Sequence, residues 1–143
     1  MARVHLDLPR HFIFQTDITV RVTDLNYGGH VGNDSVLSLI HEARMQLIRK
    51  LGFTSEVSVS DKIGIIVADA ILVYRSEMFY GDVIQIKVGV EDINKYGFDL
   101  YYLLEKKDSG KEVARAKTGI VCVDYQQKKV TQVPQILLDK INP

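Results

Sequence analysis

Between Phe12 and Thr23 apolar and polar positions alternate, with Phe12, Phe14, Ile18, Val20 and Val22 set against Thr19, Arg21 and Thr23. A period of two with β-branched residues predicts a half-buried strand over 12–23. The pattern then breaks into a polar stretch, 24–33, which holds Gly28, Gly29 and Gly32. Glycines that dense imply backbone in conformations other residues avoid, or something that approaches the main chain closely. Next the period becomes helical: Val36, Ile40, Ala43, Leu47 and Leu51, flanked by Leu37, Leu39 and Ile48. Asn33 or Asp34 can cap this helix and Gly52 ends it, so the spacing predicts a helix over 34–51, about 27 Å long at ~1.5 Å per residue. Its apolar face is broader than a surface helix needs, which predicts a helix embraced by a curved sheet.

After a Ser-rich loop over 53–62 the chain reads almost wholly as strand. The predicted strands cover 63–75, 82–93, 98–107 and 112–125, with a short edge strand over 130–133. Turns fall at 78–81, 94–97 and 126–129, and Asp108-Ser109-Gly110-Lys111 is a strong hairpin signal. Pro134 opens a short C-terminal helical turn through Ile141. One long helix and a run of antiparallel strands must share one core. The fold class is α+β: a long central helix wrapped by a curved antiparallel sheet of about five to six strands, in a single domain over 1–143. A free sheet edge predicts association into a homodimer or homotetramer.

Composition narrows the partners. Lys plus Arg and Asp plus Glu number 18 each, so the formal net charge is zero and no overall field draws in nucleic acid or an anionic membrane. The one cysteine, Cys122, lies between Val121 and Val123 and reads as a small core residue; with no second thiol there is no internal disulfide, which suits a reducing compartment. Residues 1–10 lack the apolar run of a secretory leader, and the apolar stretch 63–73 is too short to span a bilayer. The expectation is a cytoplasmic protein with no cofactor. No metal site is expected either, because His5, His11, His30 and His41 lack clustered partners. No Gly-Lys-Ser/Thr follows the glycine loop, so it is not a phosphate loop. Tyr96, Tyr101 and Tyr102 read as ordinary strand aromatics.

The run Arg21-Val22-Thr23-Asp24-Leu25-Asn26-Tyr27-Gly28-Gly29-His30-Val31-Gly32-Asn33, continued by His41-Glu42-Ala43-Arg44, resembles the signature of the hotdog thioesterases. It is similar to the branch that contains 4-hydroxybenzoyl-CoA thioesterase and related acyl-CoA and acyl-carrier-protein hydrolases. Gly81-Asp82, the strand over 113–123 and Val133-Pro134 extend the likeness over most of the chain. The resemblance implies a hotdog fold, hydrolysis of an acyl-CoA or acyl-carrier-protein thioester, and a site at a dimer interface. Two departures stand out. The second aspartate of the family's motif, commonly its nucleophile or general base, falls on Asn26. The first of its two asparagines falls on Gly32, and the second is kept as Asn33. An amide cannot take up a proton as a carboxylate does. Either another group activates water, or the domain binds thioesters without cleaving them.

Thioester hydrolysis needs donors for the developing oxyanion and a group that activates water or attacks directly. A helix N-terminus supplies free N–H groups, and Gly28, Gly29, Val31, Gly32 and Asn33 stand where a substrate carbonyl would approach it. Asp34 is the candidate carboxylate, kept ionised by the helix dipole; as a plain structural residue it would be a cap. His30 can orient or deprotonate water, or simply be satisfied by loop backbone. Asn26 can hold water or the carbonyl, or bond its own turn. Asp24 orders the loop. Asp34, Ser38 and His41 lie near one helix face. Glu42 is a reserve catalytic carboxylate, as some hotdog thioesterases use one on the helix, but the resemblance favours a structural role, paired to the loop or to Arg44. Three readings follow: a thioester hydrolase using Asp34, His30 and Asn26; a non-catalytic thioester-binding or assembly module; and, with no matching motif, a dehydratase of hydroxyacyl thioesters.

Overall fold

The computed structural model describes residues 3–142, so the expectations for the N-terminal segment and the domain limits extend past it at Met1, Ala2 and Pro143. The elements run β1 (Phe14–Thr19), a 3-10 turn (Val22–Asp24), α1 (Asn33–Lys50), β2 (Ile63–Tyr74), β3 (Val83–Glu91), β4 (Gly97–Lys106), β5 (Glu112–Asp124), β6 (Lys129–Val130) and α2 (Gln135–Ile141). All pairings are antiparallel, in the order β1-β3-β4-β5-β2, with β6 beside the end of β5. The result is one long helix against a curved antiparallel sheet of six strands, as the alternation of periods predicts.

Burial follows the two periods. Val36, Leu39, Ile40, Ala43, Leu47 and Ile48 of α1 are buried. They face Ile84, Ile86 and Val88 of β3, Leu100, Tyr102 and Leu104 of β4, and Ala114 and Ala116 of β5. Small alanines on β5 admit the large helix side chains, which is how a sheet closes on a helix without voids. Curvature has a local cause on β2. Its register against β5 skips between Val67 and Asp69, leaving Ala68 as a bulge. Asp69 Oδ1 accepts the Gly119 N–H at 2.9 Å and the Lys117 ammonium at 2.8 Å across that gap. A bulge bends its strand and raises the local twist. Cys122 is buried in the core, and burial pushes its thiol pKa up to about 11.

Most element ends shift by one or two residues against the sequence reading, and three differences matter to the edge or the site. β1 stops at Thr19 instead of Thr23, because Asp24 folds the chain back into a 3-10 turn. The edge strand is Lys129–Val130 and not 130–133. Helix α1 begins one residue early: Gly32, not Asn33 or Asp34, is its N-cap, with φ −67° and ψ 151° and no side-chain cap. That last difference shapes the site.

Candidate active site

Asp24 is the anchor of the loop between β1 and α1. It is 3% exposed, and its carboxylate accepts the Arg21 backbone N–H at 2.8 Å and the Arg21 guanidinium at 3.0 and 3.3 Å. Burial alone would raise its pKa; the hydrogen bonds and charge of Arg21 outweigh burial and hold it below the usual carboxylate value. The Asp24 carbonyl then accepts the Gly32 N–H at 3.2 Å, tying the two ends of the loop together.

Between those ends the chain makes a miniature hairpin. Leu25 bridges Val31, Asn26 N–H donates to the His30 carbonyl at 2.9 Å, and Gly29 N–H donates to the Asn26 carbonyl at 3.1 Å. Gly29 has φ +83°, the left-handed conformation that closes such a turn and that a side chain would strain. Asn26 Oδ1 accepts the Gly28 N–H at 2.8 Å, so the amide bonds its own turn. The returning arm docks on the 78–81 turn: Val31 N–H reaches the Met78 carbonyl at 2.9 Å and His30 bridges Phe79. His30 is half-buried, with Nδ1 3.2 Å from the Val31 carbonyl. A carbonyl only accepts, so Nδ1 is the donating nitrogen, and in the tautomer that carries its proton there Nε2 offers a lone pair.

Helix α1 starts immediately after. Ser35 and Val36 N–H donate to the Gly32 carbonyl at 3.0 and 3.3 Å, whereas no acceptor among the described residues takes the N–H of Asn33 or of Asp34. A helix start leaves such donors, and here no side chain caps them. Gly32 leaves room at this point, since a Cβ there would stand 2.6 Å from Asp34 Oδ1 and 3.6 Å from the Asn26 Cβ. Asn26 and Asp34, both exposed, thus meet over the buried Gly32. A Cβ on Gly28 would stand 3.2 Å from Asn26 Oδ1 and 3.6 Å from His30 Nε2, which puts Gly28 between the amide and the imidazole.

His30, Val31 and Asn33 also wall a cavity of about 280 Å³, closed by Val36, Met78, Val113 and Tyr74, with Arg75, Ser76 and Glu77 around it. Asn26 and Asp34 are not in its wall. The cavity is apolar in its valines and methionine and polar where His30 and Asn33 meet it. Sequence reading missed Tyr74 and Met78. The signal for Tyr74 was a polar-tipped aromatic at the end of an apolar strand. Nothing local marked Met78, whose backbone carbonyl does the work. Tyr74 O–H donates to the Asn33 carbonyl at 3.1 Å.

A second polar group lies farther along α1. Arg44 is buried, its guanidinium 3.3 Å from both Glu56 carboxylate oxygens and 3.4 Å from Tyr102 Oη, which pairs with Thr118 Oγ1 at 2.7 Å. His41 Nε2 lies 3.2 Å from Glu56 Oε1. The expectation that Glu42 pairs with Arg44 or the loop is corrected here. Glu42 accepts the Gln46 amide N–H at 2.8 Å on the exposed face, and Glu56 from the 53–62 loop partners Arg44. Positions two apart on a helix point roughly 200° from one another, so Glu42 cannot reach across to Arg44. Ser38 and His41 line a separate cleft with Leu37, Arg44, Val67 and Thr118, which Asp34 does not join.

A sheet-wrapped helix whose uncapped amide end meets a glycine loop and an apolar cavity defines a hotdog domain of thioesterase type. The chain belongs to the Thioesterase-like superfamily, whose profile matches residues 20–141, and thioester hydrolysis is the chemistry of that family. The fold is similar to that of a 1,4-dihydroxy-2-naphthoyl-CoA thioesterase from Synechocystis, with 22% identity, a TM-score of 0.81, and coverage of 90% of this chain and 94% of that one. The probable thioesterase YbaW of Escherichia coli is 25% identical with a TM-score of 0.71, covering 91% of this chain and 96% of its own. A gentisyl-coenzyme A thioesterase is 18% identical with a TM-score of 0.79, covering 90% and 99%. No helix among the described residues is long and apolar enough to cross a membrane.

Proposed function

We propose that this protein is a cytoplasmic hydrolase of an acyl-CoA or acyl-carrier-protein thioester, with the reacting carbonyl held at the start of α1. The observation that carries this reading is the pair of partnerless N–H groups on Asn33 and Asp34, beside a cavity that His30 and Asn33 line. The carbonyl oxygen takes those donors, whose dipole favours the negative charge that develops there. Water attacks the carbonyl carbon and gives its proton to His30 Nε2 or to the Asp34 carboxylate. The tetrahedral intermediate collapses with cleavage of the C–S bond; the thiolate leaves and recovers the proton, giving free acid and thiol. Asn26 and Gly28 frame the water side, and Gly29, Val31 and Gly32 shape the approach. The acyl group occupies the cavity of about 280 Å³. Two structural neighbours are named for hydroxylated aromatic acyl-CoA substrates, so compact aromatic acyl-CoAs head the substrate panel.

The working unit is a homodimer, with a tetramer as a further stacking of dimers. Support comes from edge strand β2, where Ile66 and Val67 are each 41% exposed next to Ala68. An apolar open edge calls for a cover. Sedimentation velocity tests it: a monomer at micromolar concentration overturns the dimer.

Turnover on aromatic, short-chain and long-chain acyl-CoAs, read by thiol release, tests the hydrolase. The variants His30→Ala and Asp34→Ala decide the water-activating group, and unchanged rates in both remove these assignments. A second reading, a binding or assembly module without turnover, is favoured by one observation: the Asn26 amide oxygen already holds the Gly28 N–H, at the position where the motif resemblance would put a carboxylate. Wild-type hydrolysis rejects it.

A further inference from the structure

The Tyr74 hydroxyl donates to the carbonyl of the first helical residue, Asn33, at 3.1 Å, from a strand 41 residues away in sequence. The acceptor is half of the Asn33–Asp34 peptide group, whose other half is the partnerless Asp34 N–H. A carbonyl oxygen has two lone pairs, so it can take a hydroxyl in addition to an intrahelical bond. Hydrogen bonds to the oxygen of an amide draw electron density toward it and make the attached N–H a stronger donor. Fold stability gives little reason for the contact. Tyr74 is 46% exposed, and a solvent-accessible hydrogen bond adds little. β2 is already held to β5 along its length down to the Tyr74–Ala114 pair. Tyr74 and Asn33 both line the cavity, so the hydroxyl acts where the substrate carbonyl would arrive.

We infer that Tyr74 is a positioning residue: its hydroxyl fixes and polarises the Asn33–Asp34 peptide so that the Asp34 N–H binds the oxyanion more strongly in the transition state than it binds the ground-state carbonyl. The inference rests on the hydrolase reading above. It assigns no bond-making step to the tyrosine. The hydroxyl keeps its proton, and the ring serves only as its carrier.

Tyr74→Phe tests this, since it keeps the ring, the cavity wall and the strand while deleting one oxygen. The expected result is a kcat lower by about three- to tenfold with KM unchanged, the pattern of an interaction made stronger only in the transition state. Tyr74→Leu, which removes the ring as well, raises KM in addition. The second measurement is the amide resonance of Asp34 in a ¹H–¹⁵N spectrum, which moves upfield in Tyr74→Phe. A raised KM at constant kcat in Tyr74→Phe overturns the inference and makes Tyr74 a plain cavity wall. A lowered melting temperature with unchanged kinetics overturns it in favour of a structural bond. Absence of wild-type turnover on every acyl-CoA sinks the hydrolase reading by itself. The Asp34 resonance then decides: an unmoved signal overturns the polarising role, and a shifted one keeps it for thioester binding.

Discussion

Helix α1 carries two polar regions that differ in how their donors and acceptors are used. Around Arg44 every partner comes from the protein: Glu56, Tyr102 and Thr118 close a buried network, and no buried side-chain polar atom among the described residues is left without a hydrogen bond. At the other end, Gly32 caps without a side chain and the Asn33 and Asp34 N–H groups find no acceptor. Buried polar groups must be satisfied internally because an unpaired one costs about 1–3 kcal/mol. A solvent-accessible helix end can leave its donors to water, and hence to a ligand that displaces water. The region that looks best built is therefore the structural one, and the region that looks unfinished is the one whose donors stay free for the proposed chemistry.

Substitutions can break that contrast, the largest effect first. Arg44→Ala leaves the Glu56 carboxylate, only 15% exposed, with the half-solvated His41 as its remaining partner and is expected to destabilise by about 3 kcal/mol. Urea unfolding reads it, with kcat per folded molecule unchanged. The double replacement Arg44→Met with Glu56→Leu recovers most of that loss, since an apolar pair of similar size needs no partner. A catalytic defect in either variant that persists after correction for folded protein would merge the two regions into one site.

His30→Ala should do the reverse. Losing a general base lowers kcat by about a hundredfold or more, roughly 2.7 kcal/mol, and leaves the unfolding midpoint nearly in place. Comparable kcat in wild type and variant shifts the role to Asp34.

Asp24→Asn probes the loop that connects the regions. Its pKa is depressed in the folded state, so its contribution is present above the unfolded carboxylate value, about 3.9, and is lost as pH falls through the folded one. The variant should be about 1–2 kcal/mol less stable at pH 7, with a smaller deficit at acid pH below the ordinary carboxylate range. Equal stability at both pH values denies Asp24 the anchoring role.

Gly32→Ala gives the smallest effect and the finest test. Its φ of −67° suits alanine, so stability changes by less than about 1 kcal/mol. The new Cβ stands 2.6 Å from Asp34 Oδ1 and must displace that carboxylate. If the carboxylate helps to activate water, kcat falls while KM holds; if it is only a bystander, neither changes.

The sequence by itself determined the architecture. Alternation at period two and then at 3.6 fixed which faces of β3, β4, β5 and α1 are buried, because those periods are properties of backbone geometry and hold wherever the chain sits. It also marked the loop 24–33 as the candidate place for chemistry, through glycines that a plain connection does not need. Tertiary structure decided the rest. Glu56, not Glu42, meets Arg44, because only the folded 53–62 loop brings its carboxylate under the helix. Gly32, not Asn33 or Asp34, caps α1, because the Asp24 carbonyl sets where the chain enters the helix. Tyr74 reaches Asn33 because the register of β2 on β5 ends opposite the helix start. Contacts between residues dozens of positions apart depend on register and curvature, and neither is written in local spacing.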